Sequence, residues 1–337
     1  MKVMLRFKYV IPYILVFLLI VCINYIYNSI KSNSAGEVTS SSISLNDVGK
    51  FNKRIVNATD HLPDDKILSS GFGLRIYDNN GKFLETDKLI LNNDPINFYV
   101  SMVNGTSQGN SVGFVIFIDG FIQEIFIDQD DKSKNIFSTK LESRSLINVP
   151  IAIKKPKVSN DTKHNLLVVM LYDLDKLPGG REMYIDFYVN FIYKTVDMGN
   201  LIPTISNRDF KEVTFKDKEA PHSDSKGVIV GIQEGDSDQD ILRFKTFVQN
   251  KKTMILSGKA PEGKYSSVIL VNNEPVSING NTEFFWEVNQ KGEYLREKVT
   301  LDPILNKQPL PLFVLTIPIK EELPIVFGSS KQILEIE

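Results

Sequence analysis

The chain has 337 residues, which is enough for about two domains. Hydrophobic residues make up 42% and charged residues 24%, an ordinary globular composition that excludes a collagen-like or wholly disordered chain. With 39 basic and 41 acidic residues the net charge is −2, so the chain as a whole has no positive field for nucleic acid. The single cysteine excludes an intrachain disulfide and a cysteine-built metal site.

The N-terminus predicts a membrane anchor. The run Tyr9–Tyr27 contains no charged residue and follows Lys2, Arg6 and Lys8. A helix of this length, at about 1.5 Å per residue, reaches roughly 28 Å, close to the thickness of one hydrocarbon core. The basic flank favours a cytoplasmic N-terminus and an extracytoplasmic remainder. We therefore expect residues 1–31 to form a cytoplasmic tip and a single-pass transmembrane anchor in the cell membrane.

Two alternatives stay open for this segment. A cleaved signal peptide has a shorter apolar core followed by a small-x-small cleavage site, and no good site of that kind follows Tyr27. A lipoprotein signal has small residues immediately before the modified cysteine, whereas the bulky Val21 precedes Cys22. The pattern favours the uncleaved anchor over both.

The remainder of the chain predicts a spacer and then a β domain. Residues 32–65 are rich in Ser, Asn and Asp and lack apolar periodicity, which indicates a flexible spacer. From residue 66 onward, short runs such as Asn97–Val103 alternate in polarity, and hairpin signals such as Asp119-Gly120 join them. We expect a first β-sandwich domain over residues 66–198.

A second β block is predicted after a linker. Residues 199–226 contain prolines and many charges, which indicates an interdomain linker, and residues 227–337 again hold short β-like runs. No helical periodicity of useful length follows residue 31, and strands do not alternate with helices, which argues against a parallel α/β sheet. The predicted fold class is mainly β: an N-terminal transmembrane helix followed by two antiparallel β-sandwich domains.

The second block resembles bacterial immunoglobulin-like modules over about residues 240–317. The resemblance rests on a glycine-ended strand, a V-x-V strand with a hairpin, and an aromatic strand; these are Gly258-Lys259-Ala260-Pro261, Val268–Val271 with Asn272-Asn273-Glu274-Pro275-Val276, and Phe284-Phe285-Trp286-Glu287-Val288. That family implies a binding, spacing or presentation module without chemistry of its own. The segment Tyr294–Leu305 is longer and more charged than the family pattern, so the resemblance does not extend to the strand order there.

Two short motifs match catalytic patterns without the context that catalysis needs. The G-x-S-x-G pattern is matched by Gly105-Thr106-Ser107-Gln108-Gly109. A nucleophile elbow joins a strand to a helix, whereas here strand-like sequence lies on both sides of the motif. A β–β loop is the simpler interpretation, and nothing in the sequence places His164 near Ser107. Ser223-Asp224-Ser225-Lys226 matches S-x-x-K, but it lies in the predicted linker instead of on a helix.

Few sequence patterns indicate a metal site. Asp236, Asp238 and Asp240 alternate as calcium ligands do, but Ile241 and Phe247 occupy the positions where an EF-hand loop needs Gly and Glu. Two interpretations of these residues stay open: a looser calcium site and a solvated acidic turn. The same holds more weakly for a second acidic group, Asp128, Asp130 and Asp131. The histidines are too far apart in the sequence to indicate a shared metal; they are His61, His164 and His222.

Trp286 is the one tryptophan of the chain, and alternation places it with Phe284 on one face of a strand and Phe285 on the other. We expect this strand to be covered on both sides, in preference to an exposed aromatic platform for a sugar or a partner. The sequence therefore predicts no catalytic residue, no cofactor-binding residue, no metal ligand and no cofactor.

The predicted function is non-enzymatic. We expect a membrane-anchored, extracytoplasmic binding or scaffolding protein of the cell envelope, with a protein or an envelope polymer as its partner and no nucleic acid. Two alternatives stay open: an extracytoplasmic hydrolase that acts on envelope polymers, and an accessory subunit of a membrane complex. A pocket lined by acidic residues would favour the hydrolase.

Overall fold

The strands follow the short apolar runs of the sequence. A computed structural model describes residues 71–78, 88–90, 95–127, 132–175, 190–197, 202–213, 215–216, 229–234, 247–249, 254–290, 293–301, 309–319 and 331–335. All regular elements in these ranges are β-strands, which confirms the mainly β prediction. The predicted anchor Tyr9–Tyr27 and the spacer 32–65 lie outside these ranges.

In the part of the chain that the structure describes, no helix is long and apolar enough to span a membrane.

All but one of the strands of the first half form two sheets. The strands of this half are β1 (Phe72–Tyr77), β2 (Lys88–Ile90), β3 (Ile96–Asn104), β4 (Asn110–Ile118), β5 (Phe121–Ile122), β6 (Phe126–Ile127), β7 (Ile136–Leu141), β8 (Ser145–Ile153), β9 (Lys157–Val158), β10 (His164–Tyr172) and β11 (Asn190–Asp197). Sheet 1 has the order β1-β3-β8-β6. Sheet 2 has the order β2-β11-β10-β4-β5, and β7 also pairs with β4.

The strands of the second half form two more sheets. They are β12 (Thr204–Ile205), β13 (Lys211–Val213), β14 (Phe215–Lys216), β15 (Ile229–Glu234), β16 (Phe247–Gln249), β17 (Met254–Lys259), β18 (Gly263–Val271), β19 (Glu274–Val276), β20 (Phe284–Val288), β21 (Glu293–Val299), β22 (Leu310–Pro318) and β23 (Lys331–Glu335). Sheet 3 has the order β13-β20-β18-β22-β23-β16, with β19 paired to β18. Sheet 4 has the order β14-β21-β17-β15, while β12 pairs with β9.

The first sandwich encloses an apolar core between sheets 1 and 2. Successive side chains of a strand point to opposite faces. In β3 this alternation places Phe98, Val100 and Met102 in the core, whereas Asn97 on the other face is exposed. Phe114 of β4 belongs to the same core from the opposite sheet. The predicted β-sandwich of the first block is therefore present.

The second sandwich is built around Trp286. Its side chain is fully buried between sheets 3 and 4, its ring stacks on Tyr265 with a centroid distance of 4.7 Å, and its Nε1 donates a hydrogen bond of 2.9 Å to Ser267 Oγ. Phe285, on the opposite face of the same strand, is also buried. The strand is covered on both sides at Trp286 and Phe285, as predicted, whereas Phe284 is only partly buried; Trp286 therefore offers no surface platform.

A third apolar core joins the two sandwiches. It lies between the outer face of sheet 2 and the outer face of sheet 3, so the four sheets are stacked in the order 1, 2, 3 and 4. Its members from the first half are Val115, Phe117, Ile122, Ile136, Leu167, Val169, Leu171 and Leu174, and those from the second half are Val268, Leu270, Phe313, Leu315 and Ile317. The compact unit Ile43–Glu337 accordingly contains both sandwiches.

The predicted antiparallel pairing holds for the central strands and fails at several sheet edges. The pairs β2–β11, β9–β12, β13–β20 and β16–β23 are parallel. The hairpin turns that the sequence reveals can join only antiparallel neighbours. The parallel partners are far apart along the chain, so no turn constrains their direction. The domain boundaries at 66–198, 199–226 and 227–337 stay predictions.

Three two-residue turns have the backbone that their sequences predict. Asp119 and Gly120 have φ values of 53° and 86°, Asn272 and Asn273 have 51° and 64°, and Asn279 and Gly280 have 51° and 87°. Positive φ at both central residues is typical of the type I′ turn, whose twist matches that of the flanking strands. Asn, Asp and Gly tolerate this conformation best.

A buried glutamine connects sheets 3 and 4. Gln332 of β23 donates from Nε2 to Ile232 O at 2.7 Å and accepts at Oε1 from Ile232 N at 2.9 Å. Gln332→Leu should therefore lower the free energy of unfolding by about 2–4 kcal/mol, because both backbone groups of Ile232 would stay buried without a partner. Urea unfolding of the two proteins measures the difference. A loss below the experimental error would show that water reaches these groups.

Burial raises the pKa of the Tyr265 phenol from 10.0 to about 12. Its hydroxyl donates a hydrogen bond of 2.8 Å to Pro261 O. Because the folded state holds the proton more tightly than the unfolded state, this contribution to stability is complete below pH 10 and is lost as the pH rises through about 12. A titration of tyrosinate absorbance should show a late-ionising tyrosine that is missing in Tyr265→Phe. Identical titration curves for the two proteins would contradict the assignment.

Candidate functional site

Residues 202–213, here named the strap, cross from the first sandwich to the second. At one end β12 pairs with β9 of the first half, and Ser206 N donates a hydrogen bond of 2.8 Å to Val158 O. At the other end β13 pairs with β20 of the second half. The strap lies inside the predicted linker 199–226, which therefore contains ordered strands paired to both sandwiches.

The second sandwich approaches the first closely at the turn Asp119-Gly120. Ser266 Oγ of β18 donates a buried hydrogen bond of 2.7 Å to Gly120 O. A Cβ atom on Gly120 would lie 3.1 Å from Phe285 Cε1 and 3.1 Å from Ile319 Cδ1. Glycine is needed here both for its positive φ and for this close approach.

Asp119 is a buried acceptor for several neighbouring donors. Its Oδ2 accepts hydrogen bonds of 3.0 Å from both Ser159 N and Ser159 Oγ and lies 2.6 Å from His164 Nδ1, while Oδ1 accepts from Asn165 N at 2.9 Å. Arg208 of the strap lies 3.5 Å from the Asp119 carbonyl oxygen and pairs with Asp161. The carboxylate thus holds the loop 159–165, while the backbone carbonyl of Asp119 contacts the strap.

This cluster contains Asp, His and Ser but lacks the geometry of a catalytic triad. In a triad the histidine binds the carboxylate through one nitrogen and the serine hydroxyl through the other. Here Ser159 Oγ donates to Asp119 and not to His164. The arrangement orients the imidazole beside the buried carboxylate, and it does not activate the serine.

The G-x-S-x-G motif forms the loop between β3 and β4, as the β–β interpretation predicts. Asn104 organises this loop: its Oδ1 accepts from Thr106 N at 3.0 Å, and its Nδ2 donates to Gln108 O at 2.8 Å. Ser107 is exposed at the tip. His164 is engaged with Asp119, and the structure does not bring Ser107 and His164 together.

Glu283 is a buried carboxylate that joins the two sandwiches. It precedes β20 in the second sandwich, and only 4% of its side chain is exposed. Its Oε1 accepts a hydrogen bond of 3.1 Å from Ile122 N, and its Oε2 accepts one of 2.9 Å from Lys157 Nζ. Both partners belong to the first half, so the charge of Glu283 is compensated across the interface between the two sandwiches, here named the joint.

Three phenylalanines form a row along the joint, one from each of the parts that meet there. The ring centroids of Phe121 and Phe285 are 5.0 Å apart, and those of Phe285 and Phe210 are 5.6 Å apart, both with edge-to-face geometry. Lys157 Nζ lies 4.8 Å from the Phe121 centroid, and Lys264 Nζ lies 4.8 Å from that of Phe210. Aromatic and cation–π contacts of this kind fix both sandwiches and the strap in one arrangement.

A cleft of about 440 Å³ opens beside this joint. It is lined by the strap, by the turn at Asn279 with the start of β20, and by side chains of the first sandwich. The lining residues are mostly polar: Phe121, Lys157, Ser206, Asn207, Asp209, Lys211, Ile278, Asn279, Asn281, Glu283, Phe284 and Phe285. The volume is within the usual range for ligand sites, roughly 300–1,000 Å³.

The sequence did not single out this cleft. Glu283 and Lys157 come from distant parts of the chain, and Asp119 was interpreted only as a turn residue. One local signal could have marked Glu283: it is an acidic residue directly before a strand rich in aromatic residues. The other predicted candidates lie outside the described residues: Ser223-Asp224-Ser225-Lys226, Asp236, Asp238, Asp240, Asp128, Asp130, Asp131, His61 and His222.

No protein-family model matches the chain, and no curated protein is similar to it in sequence. Among solved structures, the chain is similar to the YadV chaperone, with 9% identity over 77% of this chain and 98% of that one and a TM-score of 0.20. The CupB2 chaperone of Pseudomonas aeruginosa is 9% identical over 74% of this chain and 98% of that one, with a TM-score of 0.23. The periplasmic chaperone SfaE is 11% identical over 79% of this chain and 100% of that one, with a TM-score of 0.21. Similarities this low carry no argument about function.

Proposed function

We propose that this chain is a membrane-anchored, extracytoplasmic binding or scaffolding protein of the cell envelope, and that the cleft at the joint is its binding site. The observation that carries the proposal is the third apolar core. An apolar core that runs between two sandwiches removes their relative freedom, so the surfaces beside the joint are held in one geometry before a partner arrives. Preorganisation of this kind lowers the entropic cost of binding.

The chemistry of the cleft supports binding over catalysis. Among the described lining residues, every charged group except Asp209 is already paired within the protein: Lys157 with Glu283, and Lys211 with Glu297. A general acid or base has to be placed to exchange a proton with the substrate. Here the buried carboxylate of Glu283 is instead occupied by the Ile122 amide and the Lys157 ammonium. These ion pairs build the walls of a preformed site.

The location rests on the N-terminal segment. The uncharged run Tyr9–Tyr27 and its basic flank favour a single-pass anchor with the cytoplasmic side at Met1. The spacer 32–65 would then hold the two sandwiches at a distance from the outer surface of the membrane, which suits a protein that meets a partner in the envelope.

Leu18→Arg should weaken membrane insertion by roughly 3 kcal/mol, because an arginine near the centre of the span is costly. An insertion assay of the full chain, with Leu18→Val as the matched control, measures the change. Insertion equal to that of the control, or a mature protein beginning after a cleavage near Ala35, would contradict the anchor.

Site-specific photo-crosslinking in native membranes tests the binding site. The amino acid p-benzoylphenylalanine replaces Asn281 on the cleft rim in one protein, and it replaces Asn97 on the exposed face of β3 in the matched control. We expect a discrete adduct from position 281 and none from position 97. No adduct at the cleft, or the same adducts from both positions, would contradict a binding role for this site.

A further inference from the structure

We infer that the cleft takes a neutral saccharide segment of an envelope polymer. This inference rests on the proposed function and names the class of ligand for the same site. It follows from three properties of the lining side chains: which of them are available for hydrogen bonds, which charges are compensated, and which apolar surface is exposed between them.

Polar side chains that the fold does not use line the cleft from two separate segments, the strap and the turn before β20. Asn207 and Asp209 of the strap and Asn281 of the facing turn are exposed, and within the described part of the chain they have no side-chain partner. Asn279 is different, because its amide binds Lys298 O and Thr300 N and so holds the turn in place. A carboxamide offers two donors and one acceptor oxygen, and a sugar hydroxyl is likewise both donor and acceptor.

The charge of the cleft favours a neutral ligand. The ammonium groups of Lys157 and Lys211 are paired with Glu283 and Glu297. A phosphate or an acidic peptide would have to compete with these carboxylates. Among the lining residues that the structure describes, Asp209 is the one charge outside such a pair, and a carboxylate accepts hydrogen bonds from hydroxyl groups.

An aromatic ring supplies the apolar contact. Phe284 lines the cleft and is only half-buried, while the rest of its ring packs against the core of the second sandwich. A rigid ring beside amide groups fits the faces of a pyranose, which carry C–H groups between hydroxyls. A peptide that adds to a sheet edge instead needs side-chain pockets at alternate residues, and the polar cleft walls do not provide these.

Saturation-transfer NMR tests the inference with two probes, chitotetraose and cellotetraose. The full-length protein is kept in dodecylphosphocholine, a detergent without a sugar headgroup. We expect transfer to at least one tetrasaccharide, and a dissociation constant about five- to tenfold higher in Asn207→Ala and in Asn281→Ala, since each substitution removes hydrogen bonds to the ligand. Asn97→Ala, at an exposed position outside the cleft, should bind as the unmodified protein does.

Two results would overturn the inference and differ in what they say of the proposed function. If neither tetrasaccharide binds but the crosslinker at position 281 captures a protein, the saccharide is wrong and the binding site stands. If neither tetrasaccharide binds and position 281 gives no adduct, both proposals fail. Binding that Asn207→Ala and Asn281→Ala leave unchanged would place the saccharide elsewhere and also overturn the inference.

Discussion

Phe313→Ala should lower the free energy of unfolding by about 3–5 kcal/mol and split the unfolding of the two sandwiches into separate transitions. Phe313 lies on β22, is fully buried, and belongs to the third core between sheets 2 and 3. Its removal leaves a cavity in the interface that couples the sandwiches, whereas the core inside each sandwich keeps all its members. Differential scanning calorimetry of the two proteins measures both the loss and the number of transitions.

Phe98→Ala is the matched control because the same side chain is removed from the core inside the first sandwich. It should cost a similar amount but leave the third core intact, so unfolding should stay coupled. If Phe313→Ala and Phe98→Ala give transitions of the same shape, or if Phe313→Ala costs less than about 1 kcal/mol, the third core does not hold the sandwiches together.

Asp119→Ala should lower the free energy of unfolding by about 3–5 kcal/mol. The carboxylate accepts hydrogen bonds from Ser159 N, Ser159 Oγ and Asn165 N, and it lies 2.6 Å from His164 Nδ1. Without it these largely buried donors lose their acceptor, and each unsatisfied group costs about 1–3 kcal/mol. Chemical unfolding with a fluorescence readout from Trp286 measures the loss.

Asp119→Asn separates the backbone contribution from the acceptor contribution. The φ of 53° at this position suits asparagine nearly as well as aspartate, so the turn should persist. One amide oxygen can still accept from Asn165 N, but the NH₂ group cannot accept from Ser159. We expect an intermediate loss. A loss in Asp119→Asn as large as that in Asp119→Ala would assign the whole effect to the charged Oδ2 acceptor and none to the backbone, and no loss in either would contradict the role given to Asp119.

The sandwiches themselves follow from the sequence, because alternation and hairpin turns are local signals. The alternation of β3 and the turn at Asp119-Gly120 predict the observed strands and connection. The strands β7 and β8 are harder to recognise in the sequence, since charged residues crowd the turn between them and a proline, Pro150, lies within β8. Parallel edge pairs were missed, because they bring together segments that are distant along the chain.

The stacking of the two sandwiches was not predicted, although the sequence carries a signal for it. The central strands β4, β10, β18 and β22 have nearly continuous apolar runs, and such runs are typical of strands buried on both faces. Leu166, Val168 and Met170 of β10 face the first core, while Leu167 and Val169 face the third. A run of this kind shows that a second layer is present but not which sheet provides it.

The cleft could not be predicted for a related reason. Its floor depends on Lys157 meeting Glu283, which lie 126 residues apart in the chain, and its wall depends on the strap crossing both sandwiches. A polar, proline-containing segment such as 199–226 indicates a linker. Only the pairing of β12 with the first sandwich and of β13 with the second makes this segment part of the cleft. The sequence therefore supports a binding module in general and leaves the place of binding to the three-dimensional fold.

The distance between the two sandwiches tests the central claim most directly. Spin labels on cysteines placed at Asn97 and Glu274, in a Cys22→Ser background, report this distance by pulsed electron–electron double resonance; both positions are exposed, one in each sandwich. A single narrow distance distribution, which broadens in Phe313→Ala, is the result that a shared third core predicts. A broad distance distribution in the labelled protein that retains Phe313 would show that the sandwiches move independently and would contradict a preformed cleft between them.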